Sequence, residues 1–397
     1  MKTLTYLMFA MFAMTTDSVG LIIPELIRTF QLSLTSAGTF QYATMTGIAL
    51  AGLLLGQLAD RFGRRATIVA GLTLFAAACF LLAAGESFIV FALLMGLSGL
   101  AIGVFKTGAL ALIGDISTST AQHTAIMNTA EGFFGVGAII GPAILARLLT
   151  AGLSWTWLYV IAGALCVALI VLALLVKYPE AAKPAGGGGF SGSGRAMKNP
   201  YVLAFSGAAF LYVGVEAAVY VWMPTLLAGY AGPAVTVAVY SLSIFFLLRA
   251  AGRFLGAWML TRFRWQPVLA LFSGGILACF VLSAVGGVSW AVYLLPLSGL
   301  FMSVIYPTIN SKGISCMPRS DHGAGAGVIL FFTCVSAVLA PLAIGAAGDV
   351  MGDIAYGFWL ATAAAALLFA GTLLNWLLNP TRAVLERLDA AEYHLSA

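Results

Sequence analysis

Gly56-Gln57-Leu58-Ala59-Asp60-Arg61-Phe62-Gly63-Arg64-Arg65 places four charges in a short loop, and apolar runs flank it on both sides. Two hundred residues further on a degenerate copy appears. Ala51-Gly52-x-x-Leu55-Gly56 is echoed by Ala251-Gly252-x-x-Leu255-Gly256, and Arg64 by Arg264. Pro24 and Pro224 obey the same offset, and Pro142 and Pro341 miss it by one. The chain therefore reads as two similar halves, with its function expected between them.

Composition says what the halves sit in. Of 397 residues, 61% are hydrophobic and 8% charged. Soluble domains carry about 25% charged residues. Runs of about 20 apolar residues without alternation imply membrane-spanning helices rather than strands. The first run, from about Leu4 to Ile27, holds Asp17 in its middle and lacks an Ala-x-Ala site, so it reads as a span rather than a cleaved leader.

Twelve spans are expected. They lie near 4–28, 37–58, 66–85, 88–113, 123–149 and 154–177, then 201–228, 234–260, 267–287, 289–312, 323–348 and 354–378. The fold class is an all-α membrane protein of two six-helix bundles. The bundles cover 1–177 and 200–379, a Gly/Ser-rich linker covers 178–199, and a tail covers 380–397. With the N-terminus in the cytoplasm, fourteen Lys/Arg face inside: Lys2, Arg61, Arg64, Arg65, Lys177, Lys183, Arg195, Lys198, Arg262, Arg264, Lys312, Arg319, Arg382 and Arg387. Only Arg28 and Arg147 then face outside, so the positive-inside rule puts both termini in the cytoplasm. Tandem six-helix halves of one topology are a transporter arrangement, with solute bound near the midplane and access alternating by rocking.

The charged loop, Gly56-x-Leu58-Ala59-Asp60-Arg61-x-Gly63-Arg64-Arg65, resembles the signature loop of the major facilitator superfamily. Three segments resemble its fucose-galactose-glucose:proton symporter group. Span 7 carries Tyr212-Val213-Gly214-Val215-Glu216 and Trp222-x-Pro224-Thr225; span 10 carries the run Gly299 to Ile309; span 5 carries Asn128 and the run Phe134 to Pro142. Relative to that group, Asp17 sits one turn further from Pro24, and Lys106 stands in span 4 where the group has an acid. The resemblance implies that Asp60, Arg61, Arg64 and Arg65 lock one gating state. It also implies a bacterial inner-membrane protein that works as a monomer. Its partners would be a small-molecule substrate and the lipid bilayer.

Charges inside spans are costly and read as functional. A carboxyl whose solvation alternates can take up a proton on one side and release it on the other. Asp17 and Glu216, at matching positions of spans 1 and 7, are the proton-coupling candidates, with Glu131 in span 5 a third. Lys106 is expected to pair with Glu131 or Asp17, or to anchor an anionic solute. Spans 5 and 8 are neighbours in the family's architecture, so Arg249 is expected to meet Glu131 as a gate, with Arg253 one turn on. Sugar sites need neutral hydrogen-bonding groups and aromatic faces. Gln41, Tyr42, Asn128, Tyr212, Tyr220, Trp222, Tyr306 and Asn310 are the candidates, and Lys106 joins them as a substrate contact. Trp155, Trp157 and Trp290 read as interfacial belt residues.

Other classes fit poorly. The chain has no basic nucleic-acid stripe, and its five cysteines show no disulfide or zinc spacing. It has no nucleophile–histidine pairing or phosphate loop, so no enzyme is expected, and no cofactor or metal beyond a proton as coupling ion. The leading expectation is proton-coupled transport of a small polar solute, foremost a sugar. The alternatives are a proton-coupled drug or metabolite exporter, whose antiporter motif Gly137-x-x-x-Gly141-Pro142 resembles although Ala143 and Ile144 follow where that motif has glycines, and an organic-anion transporter anchored by Lys106 and Arg249.

Overall fold

The computed structural model describes residues 1–55, 62–116, 120–178, 196–317 and 322–393. The chain divides into two compact units, Met1–Gly186 and Gly187–Ala397. Among the described residues, eleven helices are long and apolar enough to cross a membrane. The twelfth expected span, near 37–58, is represented by a 16-residue helix, Thr39–Leu54, that runs up to the undescribed residues 56–61.

The first unit is built from α1 (Lys2–Thr16), α2 (Val19–Phe30), α3 (Leu34–Ala37), α4 (Thr39–Leu54), α5 (Arg64–Ala84), α6 (Phe88–Asp115), α7 (Thr120–Thr150) and α8 (Thr156–Leu175). Span 1 is thus two helices, not one. Thr15 and Thr16 donate their hydroxyls to the Phe12 carbonyl at 3.0 and 3.2 Å, and Ser18 donates to the Met14 carbonyl at 2.6 Å. Hydroxyl back-bonding of this kind loosens and bends a helix. Residue 17 takes φ −89° and ψ 0°, and the chain restarts as α2.

The second unit contains α9 (Pro200–Ala217), a π-helical turn (Ala218–Trp222), α10 (Met223–Leu227), α11 (Val235–Val239) and α12 (Ser241–Arg262). It continues with α13 (Trp265–Gly286), α14 (Val288–Met302), α15 (Ile305–Ser315), α16 (His322–Met351), α17 (Ile354–Leu378) and α18 (Arg382–Tyr393). Span 10, like span 1, is split, here at Ser303 and Val304.

The repeat seen in the sequence is a repeat of neighbours. In the first unit α4 and α5 both pack on α6, α1 packs on α7, and α5 packs on α8. In the second, α12 and α13 both pack on α14, α9 on α16, and α13 on α17. Glycines allow these approaches, because lipid supplies no hydrophobic drive between helices and close backbone contact must substitute. A Cβ on Gly137 or Gly141 of α7 would strike the carbonyl oxygens of Ala10 or Met14 in α1. A Cβ on Gly99 of α6 would strike the Thr44 carbonyl of α4, and one on Gly252 of α12 the Leu300 carbonyl of α14. Gly132 and Gly135 have open space beside them, so of the span-5 glycines these two do not serve this seam.

One belt assignment needs correcting. Trp157 and Trp290 are about half exposed, as an interfacial role requires. Trp155 is buried, edge-on to Phe40, Phe91 and Tyr159. It closes an aromatic core rather than facing a headgroup layer. The five cysteines are free thiols, four of them buried among apolar neighbours.

Candidate functional site

In the second unit, span 7 opens on Asn199. Its side-chain oxygen accepts from the amides of Tyr201 and Val202, capping α9, and its amide donates to the Cys316 carbonyl at 3.2 Å. Pro200 then occupies a first-turn position where its missing N–H costs nothing. Tyr212 and Glu216 follow on one face of α9, four residues apart. Pro224 lies just beyond. A proline inside a helix withdraws one hydrogen bond and crowds the carbonyl four residues back. The segment before it widens into the π-turn 218–222, a local distortion often found at functional sites.

That distortion is held from outside. Trp222, fully buried, donates its indole N–H to the Pro341 carbonyl of α16 at 3.0 Å. Tyr212, also buried, donates its hydroxyl to the Met302 carbonyl at 3.0 Å. Met302 ends α14, and the interruption of span 10 leaves last-turn carbonyls without helical partners; the phenol takes one of them. The Tyr306 ring stacks on Tyr212 at 6.2 Å between centroids. Tyr212 and Trp222 therefore spend their polar atoms on backbone. Tyr220, in the π-turn, and Asn310, in α15, are partly exposed.

Glu216 is bridged to Arg249 of α12 through Oε1 and Nη1, with the two side chains 10% and 22% exposed. Arg253 lies one turn beyond Arg249, and both guanidiniums are within electrostatic reach of the Tyr212 phenol. An ion pair with so little solvent is maintained only while both partners are charged, and removing one leaves the other uncompensated. The sequence reading set Arg249 opposite Glu131. The structure pairs it instead with Glu216 of its own bundle, and Glu131 is exposed and in no ion pair among the described residues.

In the first unit Asp17 sits at the break of span 1, partly exposed, with the Thr16 hydroxyl 3.2 Å from its Oδ2. Lys106 is paired with neither Asp17 nor Glu131. Its ammonium lies over the Phe134 ring, 5.5 Å from the centroid. Geometry explains the missing Asp17 pair. Gly137 stacks on Ala10 and Gly141 on Met14, so Phe134 is level with about residue 7 of α1. Asp17 is ten residues further along, about 15 Å at 1.5 Å per residue. Gln41 is fully buried inside its bundle and Tyr42 is partly exposed. The Asn128 side chain lies outside the described residues, as do Asp60 and Arg61.

The two remaining loop arginines have partners. Arg64 of α5 grips Asp115 at the end of α6, Nε to Oδ2 at 2.8 Å and Nη2 to Oδ1 at 3.5 Å, and both side chains are nearly buried. Arg65 donates to the Leu174 carbonyl at the end of α8. Asp115 went unnoticed in the sequence because it falls just past the expected end of span 4 at 113. An acid at the end of a span, on the same side as a loop of three arginines in the expected topology, was the available signal. Among the described residues no three His, Cys, Asp or Glu side chains cluster to hold a metal ion.

Comparison with known proteins agrees with this architecture. A glucose/galactose transporter from Brucella abortus biovar 1 (strain 9-941) is 25% identical over 87% of this chain and 87% of its own length. The L-fucose-proton symporter of Escherichia coli (strain K12) is 25% identical over 87% of this chain and 86% of its own. A crystal structure of a variant of the E. coli fucose:proton symporter superposes with a TM-score of 0.65 at 22% identity, covering 94% of this chain and 98% of that one. The family profile described as Major Facilitator Superfamily matches residues 5–341, and the chain, with its two like bundles and many apolar helices, belongs to that family of multi-pass membrane transporters.

Proposed function

We propose that this protein is a proton-coupled sugar transporter, working by alternating access in a bacterial inner membrane with both termini in the cytoplasm. The observation that carries the coupling scheme is the enclosed Glu216–Arg249 ion pair beside the π-turn of span 7. Protonating Glu216 removes its charge and releases Arg249, so one proton changes how α9 is held to α12. Deprotonation restores the pair. Tyr212, one turn before Glu216, reaches the break in span 10, which gives the event a mechanical connection to a second span. The names of the relatives, a glucose/galactose transporter and an L-fucose-proton symporter, support a sugar as solute. The loop arginines, with Asp60 and Asp115, hold the cytoplasmic ends in one gating state. The chain acts as a monomer and needs no cofactor.

The test is sugar uptake into proteoliposomes under an imposed pH gradient. One pH unit supplies about 1.4 kcal/mol, enough for about tenfold accumulation with one proton per solute. Glu216→Gln is expected to bring accumulation down to equilibrium while leaving exchange of labelled for unlabelled solute. Full accumulation by Glu216→Gln would retire Glu216 as the coupling acid and leave Asp17 in its place.

A further inference from the structure

We infer that the solute is an acidic sugar, one carrying a carboxylate, and that the Lys106 ammonium seats that carboxylate against the Phe134 ring. The inference rests on the sugar-transport reading and names the subclass within it.

Lys106 is a cation within an expected membrane span, and such a charge needs a counter-charge or water. Among the described residues it makes no ion pair; its contact is the face of Phe134 at 5.5 Å. Asp17 lies about 15 Å further along the helical stack. Glu131, one turn before Phe134, is exposed and unpaired with it. Asp115, further along α6, is already taken by Arg64. A cation on an aromatic face is held in place yet keeps its donors, because the ring neutralises no charge.

The side chain is also partly exposed, and its place around the helix can be compared with the most exposed apolar positions of α6. Ile89 and Leu93, 70% and 71% exposed, mark the apolar outer face of α6. At 3.6 residues per turn Lys106 stands about 140° around the helix from Leu93. Its partial exposure is therefore off the stripe that Ile89 and Leu93 mark. One cation complements one negative charge, which selects a carboxylate over a phosphate dianion. On the other side of the charge balance, Arg249 is already complemented by Glu216 and offers no second anion seat while that pair stands.

The charge count makes a distinctive transport signature. One proton moving with one carboxylate carries no net charge; one proton moving with a neutral sugar carries one. The experiment uses the full chain, with galacturonate, glucuronate, galactose, glucose and the neutral methyl ester of galacturonate as probes. Binding is read by calorimetry on purified protein, and uptake in proteoliposomes with pH gradient and membrane potential imposed separately. The expected result is that a sugar acid binds at least tenfold more tightly than its methyl ester. Its uptake should follow the pH gradient and ignore the potential. Lys106→Gln should collapse the acid-to-ester preference, and Lys106→Arg should keep most of it. If Lys106→Gln does not fold, the acid-to-ester ratio of the natural chain and the Lys106→Arg variant still decide. Equal or better binding of the neutral sugars, with uptake driven by the potential, overturns the acidic-sugar inference alone. Failure of sugars and sugar acids alike overturns both it and the sugar-transport reading.

Discussion

At the scale of single residues, the Glu216–Arg249 pair has an asymmetry that can be measured. Removing one partner of an enclosed ion pair leaves an unpaired charge and costs about 3–5 kcal/mol, whereas removing both costs much less. Arg249→Gln alone should therefore lower the melting temperature of the purified protein more than the double variant Glu216→Gln/Arg249→Gln does. A double variant that melts below Arg249→Gln would mean that Glu216 is stabilised by something other than Arg249. Cys316 offers a separate reading of burial at the C-terminal end of span 10. Burial pushes its thiol up to about 11, with the Lys312 ammonium opposing the effect. The fold favours the neutral thiol, so this contribution is fully present below the ordinary thiol value of 9.0 and is lost as pH rises through about 11. Over pH 9–11, Cys316→Ala should lose thermal stability less steeply than the natural chain. Parallel melting curves for the two would show that the thiol titrates as if exposed.

At the scale of elements, the seams between helices set what the sequence can tolerate. Gly137 and Gly141 let α1 and α7 approach until backbone meets side-chain space, and Ala10 and Met14 meet them there with backbone atoms. Backbone cannot rotate away as a side chain can. Gly137→Leu should cost about 1–3 kcal/mol or more through overpacking and lower both folded yield and transport. Gly135→Leu, in open space, should be close to neutral in the same thermal assay, and equal damage from both would refute the seam. The glycine pattern was legible in the sequence; which glycine bears on the seam was not, because it depends on the phase of one helix against another. The span limits were read nearly as they stand, for instance 354–378 for α17, since lipid demands one apolar length. The break in span 1 was not: Thr15, Thr16 and Ser18 are ordinary in a helix until their hydroxyls turn back on it. The break in span 10 had a signal, because Pro307 lies four residues after Ser303 and withdraws the hydrogen bond that the Ser303 carbonyl would accept. Candidate residues were legible by type, from charge inside apolar runs. Their partners were not: Glu216 with Arg249 and Arg64 with Asp115 join residues 33 and 51 apart on different helices, and sequence has no ruler for that.

At the scale of the whole molecule, the distribution of positive charge is the one feature that binds every span to a common orientation. Lysine and arginine near span ends resist translocation, while aspartate and glutamate contribute little, so a bias of fourteen against two acts on each loop in turn. The two exceptions are both accounted for locally. Arg28 is tied to Glu25 at 2.6 Å, and Arg147 sits in the last turn of α7, where the negative end of the helix dipole favours a cation. Neither therefore competes with the fourteen expected on the cytoplasmic side. Alkaline phosphatase folds only outside the cytoplasm, so its fusions report which side a loop occupies. Fusion after Gly152, between α7 and α8, should be active, and so should fusion after Gly287, between α13 and α14. Fusion after Tyr178 or after Tyr393 should be inactive, and a fluorescent protein at those two positions should fold. An active phosphatase after Tyr178 with an inactive one after Gly152 would invert the first bundle. Because both bundles share one topology, inverting the first bundle requires inverting the second, so a mixed result across Gly152 and Gly287 would break the tandem repeat itself.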